Sequence, residues 1–266
     1  MTWTDLHSHI LPGFDDGASS DEEFLEMARI AVKGDTSIMV ATPHYDREST
    51  AFEPLEMAAA VKDYNDLLKE SRIPLMLVPG MEVRVNAGLF DLAKAGGLEE
   101  FSLGGNGKYM LVELPMLDMP LATPDIFFQI QLCGVTPILA HPERNRHLVE
   151  NPSEIKDLVK RGIEIQVNAG SLEGIFGEKA RRTARRLIKE DAARLVASDA
   201  HSPYDRSPDL SGAARALEKL LVARASHVIL EINPGLILNG EALAGSAQGF
   251  ALESRSKRKR VWRNAS

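Results

Sequence analysis

The chain has a single cysteine, Cys133, among its 266 residues. One thiol cannot form a disulfide within the chain, so no oxidised cross-link holds the fold together and a reducing, cytoplasmic environment is expected. The sequence also lacks any uncharged apolar stretch near the roughly 18 residues that suggest a transmembrane helix. Its first twenty residues contain three aspartates in place of the basic start and apolar run of a secretion signal. These absences argue against a secreted disulfide scaffold and against an integral membrane protein.

Basic residues are fewer than acidic ones, and they are unevenly distributed along the chain. The formal net charge is -7, from 38 acidic and 31 basic residues. Six of the basic residues follow Glu253, the last acid, so residues 1–253 carry a charge of -13. A body that acidic repels nucleic acid at long range, and no nucleic-acid partner is expected. Residues 254–266 are interpreted as a basic, solvated and flexible tail, with weak contact to an anionic membrane as the alternative.

Short apolar runs alternate with helical segments, a pattern that is typical of parallel strands joined by helices. Helix signals separate the runs, since Ser20 and Glu23 form a capping box and Pro54 and Pro152 occupy first-turn positions. The predicted strands span residues 3–6, 37–41, 75–78, 109–114, 136–140, 163–167, 194–197 and 227–232. We therefore predict a single α/β domain over residues 1–240, folded as one closed TIM-like barrel, and a C-terminal extension over residues 241–266.

Unusual polar residues cluster where the predicted strands end. His7 and His9 alternate at the end of the first run, so both side chains face one side and can bind the same cation. Asp199 and His201 repeat this arrangement after the seventh run. Because the carboxyl ends of parallel strands share one face of a barrel, a site is expected there. Five histidines and four carboxylates form the candidate ligand set: His7, His9, one of Asp15 and Asp16, His44, Glu82, Glu113, His141, Asp199 and His201.

Glu113 is the strongest single indication of a bound cation. It lies between Val112 and Leu114 in an apolar run, and burying an ionised carboxylate costs several kcal/mol unless it is paired or bound to metal. An arginine partner is the alternative. Nine mixed ligands exceed the roughly four to six that one ion needs, so two or three divalent ions sharing a carboxylate are expected. Such clusters activate water and bind phosphoryl oxygens, which favours hydrolysis of phosphate esters.

The motifs that carry these residues resemble those of the polymerase and histidinol phosphatase (PHP) superfamily. In chain order they are Asp-Leu-His-Ser-His, Thr-Pro-His, Gly-Met-Glu, Val-Glu, Ala-His-Pro-Glu-Arg and Ser-Asp-Ala-His. The continuation His-Ile-Leu-Pro-Gly-Phe-Asp-Asp-Gly is similar to the bacterial tyrosine-protein phosphatases of capsule and exopolysaccharide gene clusters. The resemblance extends over about residues 3–240 and is specific because several separated motifs agree in order.

This resemblance implies a distorted barrel of seven strands with a trinuclear metal site at the carboxyl ends of the strands. It divides the candidate ligands into three sets, with Glu113 as the bridge: His7, His9, Glu113 and Asp199; Glu82, Glu113 and His141; and Asp16, His44 and His201. Arg144 and Arg206 match phosphate-binding positions, although from sequence alone each could instead form a surface salt bridge. The resemblance favours Mn²⁺, and Zn²⁺, Fe²⁺ or Co²⁺ would suit the same ligands.

The predicted function is hydrolysis of phosphotyrosine by a metal-activated hydroxide, without a phosphoenzyme. A cysteine nucleophile would require a Cys-x5-Arg loop, but Leu139 stands six positions after Cys133, so Cys133 is interpreted as a packed thiol. Three alternatives stay open: a small-molecule phosphatase such as a histidinol phosphatase, an exonuclease, which the acidic body disfavours, and a metal-bearing regulatory module without catalysis. By resemblance, the substrate partner would be a membrane-associated bacterial tyrosine kinase that controls polysaccharide polymerisation and export.

Overall fold

The computed structural model describes residues 2–221 and 224–243. Nine β-strands lie in this described part: β1 (Trp3–Ser8), β2 (Thr36–Ala41), β3 (His44–Tyr45), β4 (Met76–Pro79), β5 (Glu82–Arg84), β6 (Tyr109–Glu113), β7 (Thr136–Ala140), β8 (Glu164–Asn168) and β9 (Leu195–Ala197). Seven of the predicted strands are found, with ends that agree to within two residues. The basic tail over residues 254–266 lies outside the described residues.

The strands form two parallel sheets. One has the order β1-β2-β4 and the other the order β3-β5-β6-β7-β8-β9. The chain steps from the first sheet to the second after only two residues, from β2 into β3 and from β4 into β5. On the other side, a bridge between Ser8 and Ala200 joins β1 to the segment after β9, and the Asp199 amide donates to the His7 carbonyl at 2.9 Å. The predicted parallel α/β fold is therefore confirmed, whereas a single closed sheet is not observed among the described residues.

Helices connect successive strands. The principal ones in the described part are α1 (Asp21–Lys33), α2 (Pro54–Glu70), α3 (Ala87–Ala95), α4 (Thr123–Leu132), α5 (Arg146–Glu150), α6 (Pro152–Lys160), α7 (Ala169–Glu173), α8 (Gly177–Lys189) and α9 (Ser211–Leu220). Ser20 caps α1 by accepting a hydrogen bond from the Glu23 amide, which is one half of the predicted capping box. The other half is not formed, because the Glu23 carboxylate accepts from the Ser19 amide and not from the Ser20 amide. None of these helices is long and apolar enough to cross a membrane.

The predicted strand over residues 227–232 is wrong. Residues 225–238 are helical throughout, with Ala225–His227 and Asn233–Leu238 on either side of a π-helical turn, Val228–Ile232. His227 Nδ1 lies 2.8 Å from Glu231 Oε2, at the i,i+4 spacing of one helix face. A short apolar run does not distinguish a buried helix from a buried strand, and the His-Glu spacing was the signal that favoured the helix.

Alternate residues along the strands face two different apolar clusters, as the period of two in a strand requires. One small cluster takes a side chain from several strands, including Leu6, Val40, Leu111 and Ile138, and it also contains Ile237 of the last helix. The intervening strand residues pack with the helices in a much larger cluster. The last helix therefore contacts the apolar interior between the strands, which leaves their carboxyl ends for the polar residues.

Candidate metal centre

All nine predicted ligands lie in one cluster at the carboxyl ends of the strands. Their nitrogen and oxygen atoms form four overlapping groups, within each of which the atoms are no more than 4.8 Å apart. The groups are His9, Asp16, His44 and His201; His7, His9 and Glu82; His7, His141 and Asp199; and His44, Glu82 and Glu113. Residues that are as much as 194 positions apart in sequence thus meet in one place, as the strand-end pattern predicted.

Most of the cluster is buried, and one side of it reaches solvent. His7 and Glu82 are fully buried, whereas the side chains of His44 and Asp16 are 34% and 69% exposed. His141 and Asp199 have positive φ angles of 34° and 55°, which are uncommon for residues other than glycine. His141 directly follows β7, and Asp199 is the second residue after β9. Such sparsely populated backbone conformations concentrate at functional sites.

Several buried polar atoms of the cluster lack a well-directed hydrogen-bond partner. They are Glu82 Oε2, Asp199 Oδ1, His44 Nδ1 and His201 Nε2. Leaving a buried polar atom without a partner costs about 1–3 kcal/mol, and more when it is charged. Divalent cations would satisfy all four atoms, and the mixture of imidazole and carboxylate ligands suits Mn²⁺, Fe²⁺, Zn²⁺ or Co²⁺. The residues present therefore fit a metal site.

Glu82 is the most central carboxylate of the cluster. Its Oε2 atom lies 3.2 Å from His7 Nε2 and 3.3 Å from His9 Nε2, and its Oε1 atom lies 2.9 Å from His141 Nε2. Glu113 Oε1 lies farther to one side, 3.3 Å from His44 Nδ1 and 3.5 Å from the half-exposed guanidinium of Arg84. The arginine partner left open for Glu113 is thus present only as a long, solvent-exposed contact.

A buried chain of side-chain amides supports His7 and Asp199. His7 Nδ1 lies 3.0 Å from Gln166 Oε1, and the Gln166 amide donates to Asn168 Oδ1 at 3.0 Å. Asn168 Nδ2 in turn donates to Asp199 Oδ2 at 2.6 Å. Such partners fix the orientation of ligand side chains and are part of a metal site in their own right. Neither amide was predicted as part of the site, although two polar residues at alternate positions of an apolar run were a signal for them.

Asp15 and Asp16 have different contacts. The Asp15 carboxylate lies 2.5 Å from His9 Nδ1 and also accepts the backbone amides of His44 and Gly17. Asp16 Oδ1 lies 3.4 Å from His201 Nε2 and faces the cluster. Gly17 allows this loop to fold closely onto β1, since a Cβ atom there would lie 1.9 Å from the His9 carbonyl oxygen. The geometry favours Asp16 as the ligand and Asp15 as the residue that orients His9.

The electrostatics of the cluster favour ionised carboxylates. Burial alone would raise the pKa of Asp199, but the positive charge of the neighbouring histidines holds that pKa well below its usual range. Burial, together with the nearby His9 and Arg206, lowers the pKa of His201 to about 3, which leaves its imidazole neutral. In contrast, burial lowers the pKa of His44, but the neighbouring carboxylates of Glu113 and Glu82 outweigh burial and raise that pKa to about 10. A cation that binds His44 must therefore displace a proton.

Both predicted phosphate-binding arginines reach the cluster. Arg144 Nη1 donates to Asp199 Oδ2 at 2.7 Å, and Arg206 Nη2 lies 2.5 Å from Asp199 Oδ1. Their side chains are only 17% and 25% exposed. Arg144 also lies over the ring of Phe176, with its guanidinium carbon 4.1 Å from the ring centroid. Neither arginine is engaged in an ordinary surface salt bridge.

Cys133 is not a packed thiol, and that interpretation is wrong. It is exposed at the end of α4, with its Sγ atom 3.1 Å from the Ala93 carbonyl oxygen. The helix leads into the first residue of β7, so Cys133 lies toward the amino ends of the strands. That location is at the opposite end of the strands from the candidate metal cluster.

Comparison with known proteins gives a family and named relatives for this chain. The family model "Capsular polysaccharide synthesis, CpsB/CapC" matches residues 3–239. Tyrosine-protein phosphatase YwqE of Bacillus subtilis (strain 168) is 37% identical over 240 residues, which cover 90% of this chain and 92% of the relative. Tyrosine-protein phosphatase CpsB of Streptococcus pneumoniae is 27% identical over 241 residues, which cover 88% of this chain and 97% of the relative.

A solved structure gives the same result at the level of the fold. It is one of the crystal structures of YwqE from Bacillus subtilis and CpsB from Streptococcus pneumoniae, unique metal-dependent tyrosine phosphatases. The match has a TM-score of 0.83 at 35% identity and covers 91% of this chain and 96% of the other. The resemblance that the sequence motifs indicated is confirmed, and the chain belongs to the CpsB/CapC family of capsular polysaccharide synthesis.

Proposed function

We propose that this chain is a metal-dependent protein-tyrosine phosphatase of capsular or exopolysaccharide synthesis. One observation carries the proposal: nine histidine and carboxylate side chains meet in a cluster that two partly buried arginines also reach. The relatives named above are tyrosine-protein phosphatases. Metal ligands and planar guanidinium donors together are suited to binding and hydrolysing a phosphate monoester.

In the proposed mechanism the arginines bind the phosphoryl oxygens. Arg144 and Arg206 approach Asp199 from its two oxygens, so their guanidinium groups flank one carboxylate and can stabilise the charge that develops on phosphorus-bound oxygens. Gln166 and Asp15 keep the Nε2 atoms of His7 and His9 directed toward the centre. When bound, divalent ions would supply an activated water and neutralise the phosphoryl group. No cysteine takes part.

We propose two or three ions, most simply Mn²⁺, held by the three ligand sets that the family resemblance implies. Those sets are His7, His9, Glu113 and Asp199; Glu82, Glu113 and His141; and Asp16, His44 and His201. The contacts of Asp16 with His44 and His201 support the third set. Because Glu82 Oε2 contacts both His7 and His9, Glu82 would also be able to hold the ion bound by those two histidines.

The proposal also covers the closure of the fold, the extent and location of the domain, and its substrate. We infer that the two sheets belong to one distorted seven-stranded barrel, because the β2-β3 and β4-β5 continuations and the bridge of Ser8 with Ala200 link them on both sides. The domain would span residues 1–240 and work in the cytoplasm. Its substrate would be the phosphotyrosine of a membrane-associated bacterial tyrosine kinase, and residues 241–266 would form an extension whose basic tail makes at most weak contact with anionic membrane.

A phosphatase assay with metal titration tests this function. The chelator-treated protein receives Mn²⁺, Zn²⁺, Fe²⁺ or Co²⁺ and is offered a phosphotyrosine peptide or histidinol phosphate. We expect Mn²⁺-dependent turnover of the peptide, and its loss in Glu113→Gln and His201→Ala. Matched controls are Glu154→Gln and His147→Ala, a surface pair 2.9 Å apart outside the cluster.

The outcomes separate the alternatives. Turnover of histidinol phosphate alone would favour a small-molecule phosphatase. Stoichiometric metal binding without hydrolysis of either ester would favour a regulatory module. Equal loss of activity in His147→Ala and His201→Ala would contradict the assignment of the cluster as the reaction centre, because only His201 belongs to it.

A further inference from the structure

A large cavity opens directly beside the metal-binding cluster. Its volume is about 660 Å³, and its lining includes Asp15 and His44 together with Phe14 and Phe52. His44 belongs to the cluster and Asp15 orients His9, so the cavity is continuous with the cluster. The two phenylalanine rings contact each other edge to face, with centroids 4.9 Å apart. An aromatic wall therefore adjoins the candidate reaction centre.

The core holds this aromatic wall in place. The ring of Phe52 also contacts Tyr45, with centroids 6.2 Å apart, and Tyr45 packs edge to face against Phe101 at 4.8 Å. Tyr45 is only 8% exposed and belongs to the main apolar cluster, against which Phe14 and Phe52 pack as partly buried residues. The rings that face the cavity are thus preorganised, and a ligand would not have to order them.

Two other cavities reach the arginines but are less suited to an aromatic group. In the cavity beside Arg144, of about 360 Å³, the face of Phe176 is already covered by the Arg144 guanidinium. The cavity beside Arg206, of about 180 Å³, is lined by Phe176 and the exposed Tyr204, but also by acids that include Asp205, and it contains no metal-ligand candidate. Only the Phe14–Phe52 cavity, among those that border the cluster in the described residues, combines an uncovered aromatic wall with a metal-ligand candidate.

We propose that the Phe14–Phe52 cavity binds the phenyl ring of the substrate, and that these two side chains select aryl phosphate esters over alkyl phosphate esters. This inference rests on the proposed function, whose substrate class it explains. The ring of phosphotyrosine is bonded directly to the ester oxygen, so a phosphate at the cluster carries the ring into the adjoining cavity. Edge-to-face and offset contacts with two rings favour an aryl group. A serine or threonine ester leaves the cavity unfilled, and selectivity follows from that difference.

Binding of two phosphonates to the Mn²⁺-loaded protein tests the inference without relying on turnover. Phenylphosphonate and methylphosphonate share the anionic head and differ in the group that would enter the cavity. Calorimetry should show tighter binding of phenylphosphonate to the wild type. In the double variant Phe14→Leu and Phe52→Leu, we expect this preference to fall about tenfold, while methylphosphonate and Mn²⁺ bind as before. Phe128→Leu, an exposed phenylalanine on α4, is the matched control and should keep the full preference.

The experiments can overturn this inference and the proposed function separately. An unchanged phenyl preference in a folded double variant that still hydrolyses phosphotyrosine would overturn the inference alone. A wild type that prefers phenylphosphonate but hydrolyses no phosphotyrosine would overturn the proposed function alone. If the double variant does not fold, the single variants Phe14→Leu and Phe52→Leu provide the same comparison, with each expected to lose part of the preference.

Discussion

The buried amide Gln166 should control metal affinity although it is not itself a candidate metal ligand. It accepts from His7 Nδ1 and donates to Asn168, which donates to Asp199. A histidine whose Nδ1–H donates a hydrogen bond to Gln166 keeps Nε2 free for a cation. In Gln166→Leu that acceptor is lost, so the proton is left unsatisfied or moves to Nε2 and blocks coordination. Both routes weaken metal binding.

The size of the effect follows from burial. Gln166, Asn168 and His7 are fully buried, so water cannot replace the lost partner. Removing an outer partner of a metal ligand typically lowers metal affinity about 10- to 100-fold, which corresponds to about 1.4–2.7 kcal/mol. The free energy of unfolding of the metal-free protein should also fall by about 2 kcal/mol, since two buried hydrogen bonds are removed.

Titration of Mn²⁺ into chelator-treated protein by calorimetry measures the change directly. Gln131→Leu is the matched control, because Gln131 makes a comparable 2.8 Å hydrogen bond to the Arg161 carbonyl on the surface. Gln166→Glu should also weaken binding, since a carboxylate can accept from His7 but cannot donate to Asn168. An affinity within twofold of the wild type in both Gln166 variants would refute the reasoning, and tighter binding in Gln166→Glu would refute the relay through Asn168.

Three further predictions concern other residues. Arg206→Lys keeps the charge but loses the planar fork, so kcat/KM for a phosphotyrosine peptide at saturating Mn²⁺ should fall about 100-fold; a change of less than twofold would remove Arg206 from phosphate binding. Cys133→Ser should retain wild-type turnover in the same assay, and a collapse of activity would contradict a mechanism without cysteine. Burial raises the pKa of Asp5 to about 6 despite hydrogen bonds from Ser198, so its ionisation destabilises the fold as pH rises from about 4 to 6. Denaturation of metal-free Asp5→Asn should therefore lack a loss of about 3 kcal/mol that the wild type shows between pH 4 and 7, and parallel pH curves would contradict this.

The sequence could predict most of the strands because their apolar runs end in polar residues that belong to the cluster or support it. It could not predict β3 and β5, which are two and three residues long and too short to show a period. They exist because His44 pairs with Glu82, and Val83 with Val112 on β6, and such pairing depends on contacts between distant segments. His44 and Glu82 thus begin short strands of the second sheet, in addition to following strands of the first.

The sequence could predict which side chains meet in the cluster but not how they are oriented within it. Residue types and strand ends indicate which side chains meet, since the carboxyl ends of parallel strands share one face. They do not indicate which of the two carboxylates, Asp15 or Asp16, faces the cluster. That choice depends on Gly17 and on the His44 amide, which together hold Asp15 against His9. Orientation within a cluster is a property of the loops, and loops have no period from which it could be derived.

An acidic protein can bind an anionic substrate if bound cations make the site locally positive, and the cluster is where they would bind. Residues 1–253 carry -13, and a phosphate dianion would be repelled by that charge at long range. Four of those acids, Asp16, Glu82, Glu113 and Asp199, face the cluster, where two or three divalent ions would contribute roughly +4 to +6. Since Arg144 and Arg206 are both paired with Asp199, their charge alone does not make the site electropositive. We therefore expect metal occupancy to be required for binding the substrate as well as for hydrolysing it.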